Sequence, residues 1–160
     1  MNPYQRLVDY LAATRLGATW FKRLATVIDR RLIRWSGGRL TSGIGTSYRD
    51  RIVLVTTTGW KSGQPRTVPL LHTRVGDRIV LVASNGGDEE HPAWFRNLSH
   101  EPRCLVRLGR EEVPFVATIA EGAERAALLE AAIASYAGYA TYVARVNRRE
   151  IPVVVLDRAP

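Results

Sequence analysis

The chain has 160 residues, 46% of them hydrophobic, with a formal net charge of +8 and a pI near 10.4. That length and apolar content suit one globular domain with a real core and exclude a disordered chain. The positive surplus favours an anionic partner without choosing among nucleic acid, anionic lipid and a polyanionic ligand, while the lone Cys104 excludes a disulfide framework and a thiolate metal cluster and fits a reducing cytosol.

No apolar run approaches the ~20 residues of a membrane-spanning helix. The N-terminus lacks the basic start, apolar middle and small-residue cleavage site of a signal peptide, so the expected location is cytoplasmic. Residues 4–35 read as helical, with a break near Gly17. Trp20, Phe21, Leu24, Val27, Ile28, Leu32 and Trp35 recur at helical spacing, and Lys22, Arg23, Arg30, Arg31 and Arg34 lie between them. Such a basic amphipathic helix has two readings: a peripheral contact on the inner face of the membrane, or a helix docked on its own domain with its arginines in water. Ser36 to Ser47 is rich in Gly, Ser and Thr and reads as a loop. The expected division is therefore an N-terminal appendage over 1–46 and a domain proper over 47–160.

Arg51 to Thr58 is β-branched and apolar, the pattern of a buried strand. Gly59 to Pro65 is a turn. Thr67 to Arg74 is a second strand, in which Pro69 predicts an edge or a bulge. Gly76-Asp77 makes a hairpin turn into a third strand, Arg78 to Ser84, which Asn85-Gly86-Gly87 breaks. Pro92 opens a short helix ending near His100. Strands follow at 103–108 and 112–120, joined by Gly109-Arg110. An Ala-rich helix is expected from Glu121 to about Ala144, and a last strand over Ile151–Leu156. Hairpin-linked strands with few helical crossovers predict an α+β fold whose mainly antiparallel sheet curls into a small barrel with flanking helices.

Three stretches offer chemistry. A turn between strands presents unpaired backbone N–H groups, Gly63 lets the chain approach a ligand closely, and Lys61 and Arg66 add positive charge. The alternative is a solvated basic hairpin. After Asn85-Gly86-Gly87, the helix N-terminus at Pro92 presents free N–H groups to an anion. Trp94 and Phe95 either wall an aromatic ligand or belong to the core. Tyr136, Tyr139 and Tyr142, at i, i+3 and i+6, fall near one another along a helix and either line a pocket or are ordinary half-buried residues. His72, His91 and His100 are scattered without metal-ligand spacing, and His91 reads as a helix cap. No nucleophile elbow or dinucleotide fingerprint is present, so an enzyme built on this chain relies on a bound cofactor for the hard step.

Thr56-Thr57-Thr58-Gly59-Trp60-Lys61-Ser62-Gly63-Gln64-Pro65-Arg66-Thr67-Val68-Pro69-Leu70, with Val82-Ala83-Ser84-Asn85-Gly86-Gly87 and His91-Pro92-Ala93-Trp94-Phe95-Arg96-Asn97-Leu98, closely resembles the deazaflavin-dependent nitroreductases and quinone reductases of actinobacteria. The tail Tyr136, Tyr139, Tyr142 and Arg149-Glu150-Ile151-Pro152-Val153-Val154 resembles them too. The match spans about Ser47 to Asp157. It implies a split β-barrel of the flavin-reductase type. It also implies coenzyme F-420, an 8-hydroxy-5-deazaflavin with a phosphate and an oligoglutamate tail. By this resemblance, cofactor contacts fall on Trp60, Lys61, Ser62, Arg66, Thr67, Val68, Pro69, Leu70, Leu71, Val82, Ala83, Ser84, Asn85, Ala93, Trp94, Phe95, Arg96, Asn97 and Tyr139. The tyrosines Tyr136, Tyr139 and Tyr142 fall on the catalytic, substrate-lining side. Asn85 departs from the Lys often found there, which bears on tail binding and cofactor preference.

The resemblance implies hydride transfer from the reduced deazaflavin to a menaquinone-like quinone, with side activity on nitroaromatics or enones. No metal and no nucleic acid are expected. Two other readings stand beside it: a flavin- or haem-binding protein on the same barrel, and a non-catalytic lipid- or nucleic-acid-binding barrel. The last fits less well, because the aromatics are not interleaved with Lys and Arg as in single-strand binders.

Overall fold

Six strands wrap into a closed antiparallel barrel. In this computed structural model residues 51–108 and 111–160 are described. The expected helices over 4–35, the loop over 36–47, the domain boundary there and the Gly109-Arg110 turn lie outside the described residues. The strands are β1 (Ile52–Thr58), β2 (Pro65–Val75), β3 (Arg78–Val82), β4 (Arg103–Leu108), β5 (Glu111–Ala120) and β6 (Val153–Arg158). They pair in the order β1-β2-β3-β6-β5-β4, and β4 returns to β1 through Leu54–Arg107 to Thr57–Cys104. The expected α+β class, with a mainly antiparallel barrel, is what forms.

Alternation explains the closure. Val53 and Val55 of β1, Ile79 and Leu81 of β3, Cys104 and Val106 of β4, Phe115 of β5 and Val154 and Leu156 of β6 form one buried cluster. Side chains two apart point to the same face of a strand, so this cluster is the barrel interior. Helix α1 (Ala93–His100) adds Trp94 and Leu98 to the same cluster. It therefore plugs the barrel instead of lying on its wall.

The other face of the wall is unequal. Val80, Val153 and Val155 pack against Leu128 of α2 (Gly122–Ser135). Val82 and Ile151 pack with Ala132 and with Tyr139 of α3 (Gly138–Arg145). β3 and β6 are thus buried on both faces, which is why they read as unbroken apolar runs. β1 and β4 alternate buried with exposed or half-buried residues. Full burial of a Val or Leu side chain is worth roughly 1.5–3 kcal/mol, so the β3–β6 wall is the more tightly held.

Two local expectations come out differently. The single helix over 121–144 is two helices, broken at Tyr136 and Ala137. The Tyr136 ring folds over Gly138, where a β-carbon would meet the ring atoms at 2.4–2.5 Å. A larger residue there would push the Tyr136 ring out of this position. The third strand ends at Val82, two residues early: the Ala83 N–H still donates in register to the Pro152 carbonyl at 2.9 Å, but Pro152 has no N–H to return and the ladder stops there. Pro69, by contrast, does lie at an edge. β2 pairs with β1 over Pro65–Leu71 but with β3 only over His72–Val75. Among the described residues, 65–71 therefore have a strand on one flank and none on the other, and the missing proline N–H breaks no ladder between them.

Candidate functional site

The split between β2 and β3 organises the site. Beyond His72 and Leu81 the two strands diverge, leaving the open edge of 65–71 facing the segment that follows β3. At the rise of an extended strand, Arg66 to Leu71 spans roughly 17 Å. The site is elongated, and its two ends are built differently.

One end is the bend from Gly59 to Gln64. Its backbone was expected to offer unpaired N–H groups, and apart from that of Lys61 they are taken up within the fold. The Gly59 N–H donates to the Gln64 carbonyl at 2.9 Å. The Ser62 and Gly63 N–H groups donate to the Gly59 carbonyl at 3.1 and 2.7 Å. The Gln64 N–H donates to Ser62 Oγ at 3.3 Å, and the Trp60 N–H donates to Asn97 Oδ1 at 3.2 Å. What the bend presents is side chains. Trp60 is 44% exposed and stacks on His100 with ring centroids 5.0 Å apart. Lys61 Nζ sits 4.7 Å over the Trp60 ring. Lys61 and Arg66 are both exposed, and among the described residues neither makes an ion pair.

Asn97 joins this bend to α1. It is buried, donates from Nδ2 to Thr57 Oγ1 at 2.9 Å, and accepts from Trp60. Helix and bend do converge, but through Asn97 and His100 in the second half of α1, not through the helix N-terminus. The amide of Asn97 is committed to this brace. Of the two aromatics at the helix start, Trp94 belongs to the barrel core, while Phe95 is half-buried and meets its edge at 6.3 Å. Ala93 and Arg96 are exposed, and Arg96 pairs with Glu90 at 3.2 Å.

The other end carries the three tyrosines, which do come together. Ring centroids lie 5.2 Å apart for Tyr136 and Tyr139, 6.3 Å for Tyr136 and Tyr142, and 6.2 Å for Tyr139 and Tyr142. They meet because the chain turns at Tyr136 and Ala137, where Tyr136 is extended, not because they share one helical stripe. The Tyr136 and Tyr142 hydroxyls are 3.3 Å apart. Tyr139 is buried and donates to the Leu71 carbonyl on the open edge of β2 at 3.5 Å. Burial, and next the neighbouring Tyr142, raise its pKa well above the ordinary phenol value, so it stays protonated.

On the open edge itself, Val68 and Leu70 pack against the barrel core, and the Thr67 hydroxyl meets that of Thr56 at 2.8 Å. Pro69 and Leu71 are half-buried. Across from it, Val82, Ala83 and Ser84 are buried. Asn85, Gly86 and Gly87 follow at φ of 50°, 66° and 80°. Asn85 holds its left-handed conformation by donating to the Glu90 carbonyl at 3.0 Å, a route open to Asn that a Lys at this position lacks. Gly87 lies beneath α3, where a β-carbon would meet the Arg145 side chain at 3.2 Å and Tyr142 Cα at 3.3 Å.

Three residues in this region have contacts that the sequence did not show: Arg149 and His91 were named without them, and Glu89 was not singled out. Arg149 donates to the carbonyls of Ser84 at 3.1 Å and Asp88 at 2.8 Å, and its Nη1 lies 3.3 Å from His91 Nδ1. Glu89 accepts the backbone N–H groups of Asn147 at 3.0 Å and Arg148 at 3.2 Å. His91 does not cap α1, whose N-cap is Pro92; it packs on Phe95 at 5.0 Å instead. Its pKa is lowered by burial first, then by the charges of Arg149 and Arg96. The signal for Arg149 was its place in the tail motif, but spacing alone could not say what it touches. Cys104 offers no nucleophile, since burial pushes its thiol up to about 11.

The sequence pattern of the F420H(2)-dependent quinone reductases matches residues 29–158. The chain belongs to that family. Its members depend on coenzyme F-420, and the chain is accordingly an F-420-dependent oxidoreductase. An F420H(2)-dependent quinone reductase of Mycobacterium tuberculosis is 37% identical over 109 residues, which cover 66% of this chain and 72% of that one. A solved F420-H2-dependent reductase superposes with a TM-score of 0.61 at 39% identity, covering 67% of this chain and 94% of the other. A haem-binding protein of Mycobacterium smegmatis, at 22% identity and a TM-score of 0.53, shares the fold alone. The quinone reductase barrel fits its cofactor in charge and shape: among the described residues, two exposed cations without ion pairs stand at one end of an open, elongated strand edge, and polar aromatic rings stand at the other. Among the described residues no helix is long and apolar enough to cross a membrane.

Proposed function

We propose that the protein reduces a quinone at the tyrosine end of the split, with the cofactor lying along the open edge of β2. The observation that carries this reading is the division of that edge, with Lys61 and Arg66 at one end and Tyr136, Tyr139 and Tyr142 at the other. Lys61 and Arg66 bind the phosphate and oligoglutamate groups, Arg66 through a bidentate fork. Trp60 holds Lys61 over its ring, and the brace through Asn97 fixes the bend. The open flank of residues 66–71 and the segment 82–85 lie beside the ring, with the start of α1 beyond them. When bound, reduced coenzyme F-420 supplies a hydride from C5 of its ring.

The protein contributes alignment and a dry surface. Tyr139 keeps its proton and bonds to Leu71, so it acts as a fixed wall. Tyr136 and Tyr142, half-buried with adjacent hydroxyls, are the groups that orient the acceptor oxygen and return a proton to it, in exchange with solvent. No side chain acts as a nucleophile. The acceptor is a menaquinone-like quinone, and nitroaromatics or enones of similar flatness are reduced as side substrates. The N-terminal segment 1–46 supports a peripheral position on the inner face of the membrane, because its sequence places tryptophans and arginines at amphipathic spacing.

Titrating the purified protein with the deazaflavin, read by fluorescence, tests the binding. Saturation at micromolar protein is expected, and an unchanged signal overturns the reading. Turnover with menadione, and its loss in a Tyr136→Phe, Tyr142→Phe double variant that still binds the deazaflavin, tests the assignment of the tyrosines.

A further inference from the structure

We propose that Arg149 is a positioning residue that sets the acceptor wall of the site; the proposal rests on the functional reading above. Arg149 follows α3 and precedes β6, outside the stretches that carry the cofactor motif. Its guanidinium nevertheless gathers acceptors from both ends of the loop after β3. Nη1 donates to the Ala83 carbonyl at 3.3 Å and Nη2 to that of Ser84 at 3.1 Å. Nη2 and Nε donate to the Asp88 carbonyl at 2.8 and 3.2 Å. Nη1 also donates to His91 Nδ1 at 3.3 Å, which the lowered pKa of that imidazole keeps available as an acceptor. A planar fork with five donors can do this; a lysine ammonium, with three donors on one atom, cannot span the same acceptors.

The tie is returned from the loop. The Glu89 carboxylate takes the N–H groups of Asn147 and Arg148, immediately before Arg149. The loop 83–91 and the segment 147–149 are therefore clasped in both directions. This matters because each piece carries a wall of the split. The loop brings Gly87 under Tyr142, where a β-carbon would stand only 3.3 Å from Tyr142 Cα. It also leads through His91, packed on Phe95, into α1. The segment 147–149 runs directly from α3, which carries Tyr139 and Tyr142. One guanidinium thus holds the tyrosine wall and the aromatic start of α1 at a set separation.

The test is Arg149→Lys, which keeps the charge and removes the fork. Amide hydrogen exchange is expected to rise in residues 84–91 and 136–142 and to stay unchanged in β6 and β1. The quinone KM is expected to rise on the order of tenfold with kcat within about threefold, as for a misplaced wall. Deazaflavin affinity, read by fluorescence, is expected to fall by no more than about threefold, because Asn97 braces the cationic bend separately. Arg149→Ala should show a larger KM change, part of which added guanidinium restores, a response that a general packing defect does not give. An unchanged KM in the folded Arg149→Lys protein overturns the proposal, as does exchange that rises across the whole barrel. If the wild-type protein binds no deazaflavin, the functional reading fails. The exchange comparison then decides the clasp alone: loosening confined to the two segments sustains it, and no loosening removes it.

Discussion

The bend at Gly59–Gln64 and the clasp around Gly87 sit at opposite ends of one strand edge, yet they are held by opposite means. The bend is closed by its own backbone. Most of its N–H groups return to carbonyls and to Ser62 within six residues, and among the described residues Asn97 is the one side chain that hydrogen-bonds to it from afar, with His100 stacked on Trp60. The clasp is closed by side chains reaching about sixty residues along the chain, from Arg149 and Glu89. The difference teaches that charge display and shape are separable here. A self-sufficient bend can expose Lys61 and Arg66 without using them structurally, whereas the tyrosine wall exists only while distant partners hold it.

The largest expected effect breaks the one long-range brace of the bend. Asn97→Ala removes the donor to the buried Thr57 hydroxyl, which keeps only its 3.4 Å bond to the Arg66 carbonyl, and leaves the Trp60 N–H without its acceptor. A loss of about 2 kcal/mol is expected. Urea denaturation measures it, and a loss below about 0.5 kcal/mol would contradict the brace. The exposed cations come next and should behave in the contrary way. Lys61→Ala with Arg66→Ala is expected to leave stability within roughly 0.5 kcal/mol while weakening deazaflavin binding by about thirtyfold or more. That defect should shrink as salt screens the native protein, and fluorescence titrations at two ionic strengths read it.

At the clasp, Gly87→Ala forces a side chain into a left-handed φ of 80° against Tyr142 and Arg145. About 1–2 kcal/mol of destabilisation is expected, together with a larger change in quinone KM than in deazaflavin affinity. Equal changes in both would dissolve the distinction between the two ends.

The smallest effect is a pH dependence. The N–H of Asn147, then that of Arg148, bonds to the ionised Glu89 carboxylate and holds its pKa below the ordinary glutamate value. A carboxylate with a depressed folded pKa stabilises at neutral pH, and that contribution disappears as pH falls through the folded value. The melting temperatures of the native protein and Glu89→Gln should therefore differ at pH 7 and converge well below the ordinary glutamate range. A gap that persists in acid would mean that the carboxylate charge plays no part.

Much of the barrel was legible in the sequence, because its determinants are local. Period-two alternation in β1 and β4, unbroken apolar runs in β3 and β6, and Gly, Pro and Asn at the turns name the strands before any pairing is known. The cations of the bend and the three tyrosines were legible as residues, and the resemblance brought them into one site. Their arrangement was not. Trp94 and Phe95 are neighbours in sequence, but closure of the barrel placed one in the core and left the other half-buried.

Residue pattern and turn chemistry were enough to specify an antiparallel barrel, its strand boundaries to within two residues or so, and a cationic bend. Folding in three dimensions settled the rest. It determined that α1 plugs the barrel and meets the bend by its second half, that a break at Tyr136 and Ala137 divides one expected helix into two, and that Arg149 and Glu89 close the far end of the split. The reason is physical: alternation and propensity act over a few residues, whereas a guanidinium finds its carbonyls only after the chain has brought distant segments together.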